Sequence, residues 1–304
     1  MKKTASNIKV KKSQSELKIK VQPKLKINQS AQQNLKSKNL FTLITGASSG
    51  IGFETALLLA TEKHNLILLE RRKNNLLNLK KLCLQNGSPV VLIWECDLSN
   101  TEKLEKTIHS KLKEAKAKYG SSFEINRLIN NAGLALGADK VTQSEWSDWQ
   151  TMMNVNVMGL MKITQMILPF IIQAKGHIVN LGSVAGRLVY EGGAVYCASK
   201  FAVRAFSDGL RMDLKGTGVR VSLISPGMVN TEFSQVRFKN NMEKAEAVYA
   251  NMWPLSATDI ANQIQFVLNQ PLHVNVQEII VYPTDQASVG QVVRGTGSVL
   301  SLGK

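Results

Sequence analysis

Leu40-Phe-Thr-Leu-Ile-Thr-Gly-Ala-Ser-Ser-Gly-Ile-Gly52 is the stretch from which the rest of the chain can be read. Residues 40–45 form a short apolar, β-branched run of the kind that makes a buried strand. Gly46, Gly50 and Gly52 follow it, and residues 53–61 repeat their apolar positions at helical spacing. A strand, a glycine-rich turn and a helix start in that order make a phosphate cradle. Gly46 allows the tight turn, Gly50 lets backbone approach a pyrophosphate, and Gly52 permits close helix–strand packing. The helix N-terminus adds unpaired N–H groups and a partial positive charge.

Residues 65–69 form a second apolar run, ending in Glu70-Arg71-Arg72. This is the place, about twenty residues past the glycine turn, where the ribose of a bound dinucleotide is read. A carboxylate there accepts from a 2′-hydroxyl and selects NAD, whereas arginines pair with a 2′-phosphate and select NADP. Two arginines beside one acid favour NADP, and Glu70 leaves NAD open. The alternative for Arg71 and Arg72 is simply the solvated start of a helix over 74–85.

Further along, strands are expected at 89–94, 126–130, 177–182, 218–224 and 276–281. Helices are expected at 100–118, at 144–174 with an interruption near Pro169, at 201–214 and at 256–268. Asp97 closes the third strand, in position to face an adenine amino group. Asn156 is an amide within an apolar segment and so needs a specific partner. Residues 231–253 form a polar, partly helical insertion. Strands alternating with helices imply an α/β fold, a doubly wound parallel sheet of about seven strands with helices on both faces, in a single domain.

One stretch carries chemistry of its own, Ser183-Val-Ala-Gly-Arg-Leu-Val-Tyr-Glu-Gly-Gly-Ala-Val-Tyr196-Cys-Ala-Ser-Lys200. Ser183 stands at the end of a buried strand. Tyr196 and Lys200 lie one helical turn apart and so point the same way. A neighbouring ammonium favours the phenolate, which suits a group that moves protons near neutral pH. Taken alone, Tyr-x-x-x-Lys is ordinary helix-surface decoration, and its weight comes from the glycine turn upstream.

Composition bounds the alternatives. The formal net charge is +16, from 38 basic and 22 acidic residues. Residues 1–39 hold eleven lysines and one acid, 11 − 1 = +10, leaving 27 − 21 = +6 for the remainder. A segment so rich in Lys, Gln, Asn and Ser cannot bury enough surface to fold alone, and it reads as a disordered basic arm. Its charge would also suit nucleic acid or an anionic membrane, the less favoured reading. No apolar core follows the lysines, so no secretory signal is expected, and the absence of arginine argues against a mitochondrial one. No apolar run is expected to span a membrane. Cys83, Cys96 and Cys197 are scattered and fit a reducing, cytoplasmic setting, and no metal-ligand spacing is present.

Thr45-Gly-Ala-Ser-Ser-Gly-Ile-Gly52, Asn130-Asn-Ala-Gly133, Asn156, Ser183, Tyr196-Cys-Ala-Ser-Lys200 and Pro226-Gly227 occur in the order and spacing of the short-chain dehydrogenase/reductases. The chain resembles that family over about 40–285, leaving 286–304 as a tail. More narrowly, Asn131-Ala-Gly-Leu-Ala-Leu-Gly137, Gly192-Gly-Ala-Val-Tyr196 and Thr231-Glu-Phe-Ser-Gln-Val-Arg-Phe238 resemble its NADP-dependent 3-hydroxy acid dehydrogenases, which include serine 3-dehydrogenase, L-allo-threonine dehydrogenase and malonic semialdehyde reductase.

The resemblance implies a general acid/base at Tyr196 and a lysine, Lys200, that lowers its pKa and holds the nicotinamide ribose. Ser183 would bond the reacting oxygen, and Asn156 would anchor a relay water. The matching cofactor positions are Gly46, Ser48, Ser49, Gly50, Ile51, Gly52, Arg71, Arg72, Asp97, Leu98, Asn131, Ala132, Gly133, Tyr196, Lys200, Pro226, Gly227, Val229 and Thr231. Glu70 departs from the small residue usual in NADP-using relatives, and it would repel a 2′-phosphate unless Arg71 or Arg72 neutralises it.

A carboxylated substrate asks for an arginine. Arg237 in the 231–253 insertion is the candidate, alongside Ser183 and Tyr196, its plainer alternative being a surface arginine that fastens the insertion down. The implied activity is interconversion of a short 3-hydroxy acid (serine, allo-threonine or 3-hydroxypropionate type) with its 3-oxo or semialdehyde form. Reduction of another carbonyl class (3-oxoacyl, sugar or steroid-like) uses the same catalytic residues. A non-catalytic nucleotide sensor or nucleic-acid binder would waste the Ser183, Tyr196 and Lys200 set. A homotetramer or homodimer is implied.

Overall fold

In the computed structural model of the chain, residues 39–295 are described, and they lie within one compact unit. Residues 1–38 of the basic arm and 296–304 of the tail lie outside the described residues.

β1 (Asn39–Thr45) leads through the glycine turn into α1 (Gly50–Thr61) and then β2 (Asn65–Glu70). α2 (Lys73–Gln85), β3 (Val91–Glu95) and α3 (Thr101–Tyr119) complete the first half. β4 (Phe123–Asn130) opens the second, followed by α4 (Trp146–Met153), a π-helical segment (Asn154–Gly159), α5 (Leu160–Ala174) and β5 (His177–Leu181). Then come α6 (Ala194–Asp213), β6 (Arg220–Pro226), the short helices α7 (Phe233–Arg237) and α8 (Met242–Ala247), α9 (Ala257–Leu268) and β7 (Glu278–Val281). The strands make one seven-stranded sheet, order β3-β2-β1-β4-β5-β6-β7, with every pairing parallel. Such strands are buried on both faces, which is why the central ones read as near-continuous apolar runs. Ile44, Leu66 and Leu68 pack with Leu59 of α1 and with Ile260 and Ile264 of α9 on one face. Phe41, Leu43 and Leu128 pack with Ile108, Ile163 and Leu210 on the other. β1 lies between β2 and β4, so chain connections leave it in opposite directions and open a crevice at the strands' C-terminal ends.

Three expectations change. The break in the 144–174 helix falls at Asn154–Gly159, and Pro169 stays inside α5. The wider π turn carries Asn156 to a partner on the β4 loop, and a Cβ on Gly159 would meet the Leu98 carbonyl oxygen at 2.4 Å. α6 begins at Ala194 rather than near 201, so Tyr196 and Lys200 stand in its first two turns. The helical stretch Trp146–Ala174 is, by length and composition, long enough and apolar enough to cross a membrane. Here its Ile163, Ile167 and Ile171 are fully buried against the sheet, and that core-layer position explains the apolarity.

A fourth difference concerns the far edge. Among the described residues, 286–295 pack onto the domain: β8 (Gln286–Ser288) pairs antiparallel with β9 (Gln291–Val292). Gln286 is buried and its Oε1 accepts from the Met228 N–H at 2.9 Å, tying this hairpin to the turn after β6.

Candidate active site

The crevice is a cavity of about 660 Å³ running from the glycine turn past the ends of β1, β4, β5 and β6. Its floor is built for close approach. Gly46 sits at φ +62°, and a Cβ there would stand 2.8 Å from the Ala132 Cα. Gly52 faces inward, where a Cβ would fall 2.3 Å from the Gly46 carbonyl oxygen, so it packs α1 against the turn as its spacing implied. Asn131 Nδ2 donates to the Thr45 and Gly46 carbonyls at 3.0 and 2.9 Å, locking the two loops together.

Nearly every residue expected at the cofactor lines this cavity; Ser48 and Gly52 stand just behind its wall. At its nucleotide end Arg72 Nη2 donates to the Ser48 and Ser49 hydroxyls at 2.9 and 3.0 Å. Glu70 is turned onto its own chain: Oε1 accepts from the Arg71 N–H at 2.9 Å and lies 3.7 Å from Arg72 Nε. The carboxylate that put a 2′-phosphate in doubt is therefore neutralised locally. Asp97 lines the same end, and its Oδ1 accepts from the Ser99 N–H at 2.8 Å. A cradle that admits only glycine hydrogens, followed by an arginine and two hydroxyls, fits a phosphorylated dinucleotide.

At the other end the helix start of α6 presents Tyr196 and Lys200 to the cavity. Lys200 is buried, and its Nζ donates to the Leu181 carbonyl at 2.9 Å and sits 5.9 Å from the Tyr196 ring centre. Burial lowers the Lys200 pKa to about 8. Burial also raises the Tyr196 pKa, with nearby Tyr190 adding to the rise, while a hydrogen bond to Ser183 and the Arg237 charge oppose it. Desolvation is the largest of these influences on the phenol. Ser183 is held by the Ala185 N–H, which donates to its Oγ at 3.1 Å.

Asn156 stands behind the wall rather than in it. Its Nδ2 donates to the Leu134 carbonyl at 2.8 Å and to Ser199 Oγ at 3.1 Å, and Oδ1 accepts from the Leu134 N–H at 2.8 Å. Both amide hydrogens are committed to protein partners. The side chain therefore pins the β4 loop and α6 to the π turn.

Arg237 lines the cavity and also fastens the insertion. Its Nε donates to the Gly137 carbonyl at 2.9 Å, and Nη1 donates to the Tyr190 hydroxyl at 3.0 Å. Two aromatic residues that line the same cavity, Tyr190 and Phe233, escaped notice in the sequence. Tyr190 lies in the Ser183–Lys200 stretch but off the helix. Phe233 stacks edge-on to Tyr196, centroids 5.6 Å apart. Neither has a spacing signal, because each reaches the cavity through a loop or a single short helical turn.

The sequence pattern described as short chain dehydrogenase matches residues 41–242. The chain is 41% identical over 254 residues to the NADP-dependent 3-hydroxy acid dehydrogenase of Schizosaccharomyces pombe, covering 83% of this chain and 95% of that one. It is also 41% identical over 254 residues to the serine 3-dehydrogenase of Agrobacterium fabrum, covering 83% and 97%. Among solved structures it resembles the closed form of serine dehydrogenase complexed with NADP+, with a TM-score of 0.76 and 37% identity, covering 84% of this chain and 99% of that chain.

Proposed function

The chain belongs to the short-chain dehydrogenase family, and from that premise we propose that it is an NADP-dependent oxidoreductase interconverting a short 3-hydroxy acid with its 3-oxo or semialdehyde form. The observation that carries this reading is one cavity with an arginine-and-hydroxyl phosphate seat at one end and Ser183, Tyr196, Lys200 and Arg237 at the other. The relatives' names support both the cofactor and the substrate class.

Gly46, Gly50, Ile51 and the α1 N-terminus would hold the pyrophosphate, and Asp97, Leu98, Asn131, Ala132 and Gly133 the adenosine and central parts. Pro226, Gly227, Val229 and Thr231 would border the nicotinamide end. The cofactor, when bound, supplies or takes the hydride. Tyr196 donates its proton to the carbonyl oxygen as the alcohol forms and takes it back in the reverse direction. Ser183 Oγ donates a hydrogen bond to the same oxygen and shares its developing charge. Lys200, as an ammonium, stabilises the phenolate left behind. Arg237 turns Nη2, which has no partner among the described residues, toward a substrate carboxylate, while Nε and Nη1 hold its position.

A sulfoacetaldehyde reductase of Chromohalobacter salexigens, 39% identical over 247 residues, acts by name on an aldehyde whose acid group is a sulfonate. An arginine accepts either anion, so the substrate panel includes both. NADPH and NADH consumption, followed at the nicotinamide absorbance, is measured over semialdehydes, sulfoacetaldehyde and neutral aldehydes. Faster turnover of the acidic aldehydes with NADPH is expected; a preference for neutral carbonyls removes the substrate reading.

The protein acts in the cytoplasm, a setting supported by three free, buried cysteines, and it assembles as a homotetramer. Assembly is supported by apolar side chains left exposed on the helices, among them Trp146, Met158 and Met212 at 67, 50 and 75%. A single species at the monomer mass in sedimentation would refute it.

A further inference from the structure

Arg72 holds four partners, and one of them comes from a different part of the fold. Ser48, Ser49 and Glu70 belong to the nucleotide-binding turn and strand. Glu232 belongs to the segment that crosses the cavity, directly before α7, and its Oε2 accepts from Arg72 Nη1 at 3.2 Å. That segment is seated on the glycine turn itself, since a Cβ on Gly50 would meet the Thr231 Cβ and Cγ2 at 3.2 Å. The two charged side chains remain open to solvent at the cavity rim, 43 and 48% exposed.

We propose that Glu232 is a cofactor-selectivity residue, competing with the 2′-phosphate for Arg72. This rests on the NADP reading above and adds a residue to it. A phosphate seated on Arg72 and Ser49 arrives where the Glu232 carboxylate already holds Nη1. The two anions repel each other across one guanidinium, so the phosphate must release Glu232 before it gains the whole fork. A cofactor with a bare 2′-hydroxyl brings no such charge and leaves the Arg72–Glu232 pair intact. Glu232 therefore weakens the phosphorylated cofactor and leaves the other alone. Its release also frees the start of α7, the helix that carries Phe233 onto the Tyr196 ring.

The test is titration of the wild-type chain and of Glu232→Gln, Arg72→Gln and the double variant with NADPH and with NADH, by calorimetry at low ionic strength. For an exposed pair the expected gain is modest: Glu232→Gln tightens NADPH by about three- to tenfold and changes NADH by less than about twofold. In the Arg72→Gln background most of that gain disappears, because there is no guanidinium left to contest. Unchanged or weaker NADPH binding, an equal change for both cofactors, or a full-size gain without Arg72 overturns the proposal. A wild-type chain that binds NADH but no NADPH takes down the cofactor reading with it. A wild-type chain that binds NADPH normally while Glu232→Gln changes nothing removes Glu232 alone.

Discussion

Lys200 shows what burying a charge does at a single residue. Its pKa is lowered to about 8 in the fold against an ordinary value of 10.5. Between those values the unfolded chain binds the extra proton, so stability contributed at this position rises with pH from about 8 to 10.5 and is at its lowest below 8. Lys200→Met is accordingly expected to raise the thermal midpoint at pH 7 while abolishing turnover, with the gap between variant and wild type narrowing toward pH 10. A variant less stable than wild type at pH 7 contradicts this. Tyr196 predicts a second pH effect. Because burial raises its pKa, oxidation of a hydroxy acid needs a phenolate and should speed up as pH rises, while reduction slows. Coincident pH optima for the two directions would argue against that assignment.

At the scale of elements, the π turn between α4 and α5 is where helix and site meet. It aims Asn156 at both polar backbone atoms of Leu134, and Leu134 follows Gly133, where a Cβ would lie 3.4 Å from Lys200 Nζ. Gly159 closes the turn with its Cα face against the Leu98 carbonyl. Gly159→Ala is expected to destabilise the fold by about 1–3 kcal/mol through overpacking, and to lower kcat as well by displacing Asn156. Chemical denaturation and steady-state kinetics check both. Unchanged stability would mean that the Leu98 loop yields freely. The turn was illegible beforehand: an extra residue in a helix leaves no mark in apolar spacing, and Pro169 drew the break to the wrong place. By contrast, the glycine turn and the Tyr196–Lys200 spacing were legible, because each rests on a local rule that one residue type satisfies. The parallel sheet followed from the alternation of strands and helices, but the hairpin after 285 did not. Gln286 acts through one long-range bond to Met228, which no local pattern announces.

For the whole molecule, two observations bear on where stability and function separate. His177 is buried at the opposite end of the strands from the site, and burial together with Arg220 and Arg127 lowers its pKa to about 3. The unfolded chain takes up this proton near 6.5 while the fold resists it down to about 3, so stability falls as pH drops across that window. Urea midpoints measured from pH 7 to 4 should decline, and His177→Gln should flatten the decline without altering NADPH binding; an unchanged slope would assign the acid sensitivity elsewhere. At the other end of the sheet, the proposed cofactor seat and Arg237 share one cavity with the Tyr196 phenol. Tyr196→Phe keeps the ring against Phe233 and removes only the oxygen. The expected result is NADPH binding within about twofold of wild type, with turnover of acidic semialdehydes reduced by about a hundredfold or more. Binding retained with turnover undiminished would contradict the account at its centre.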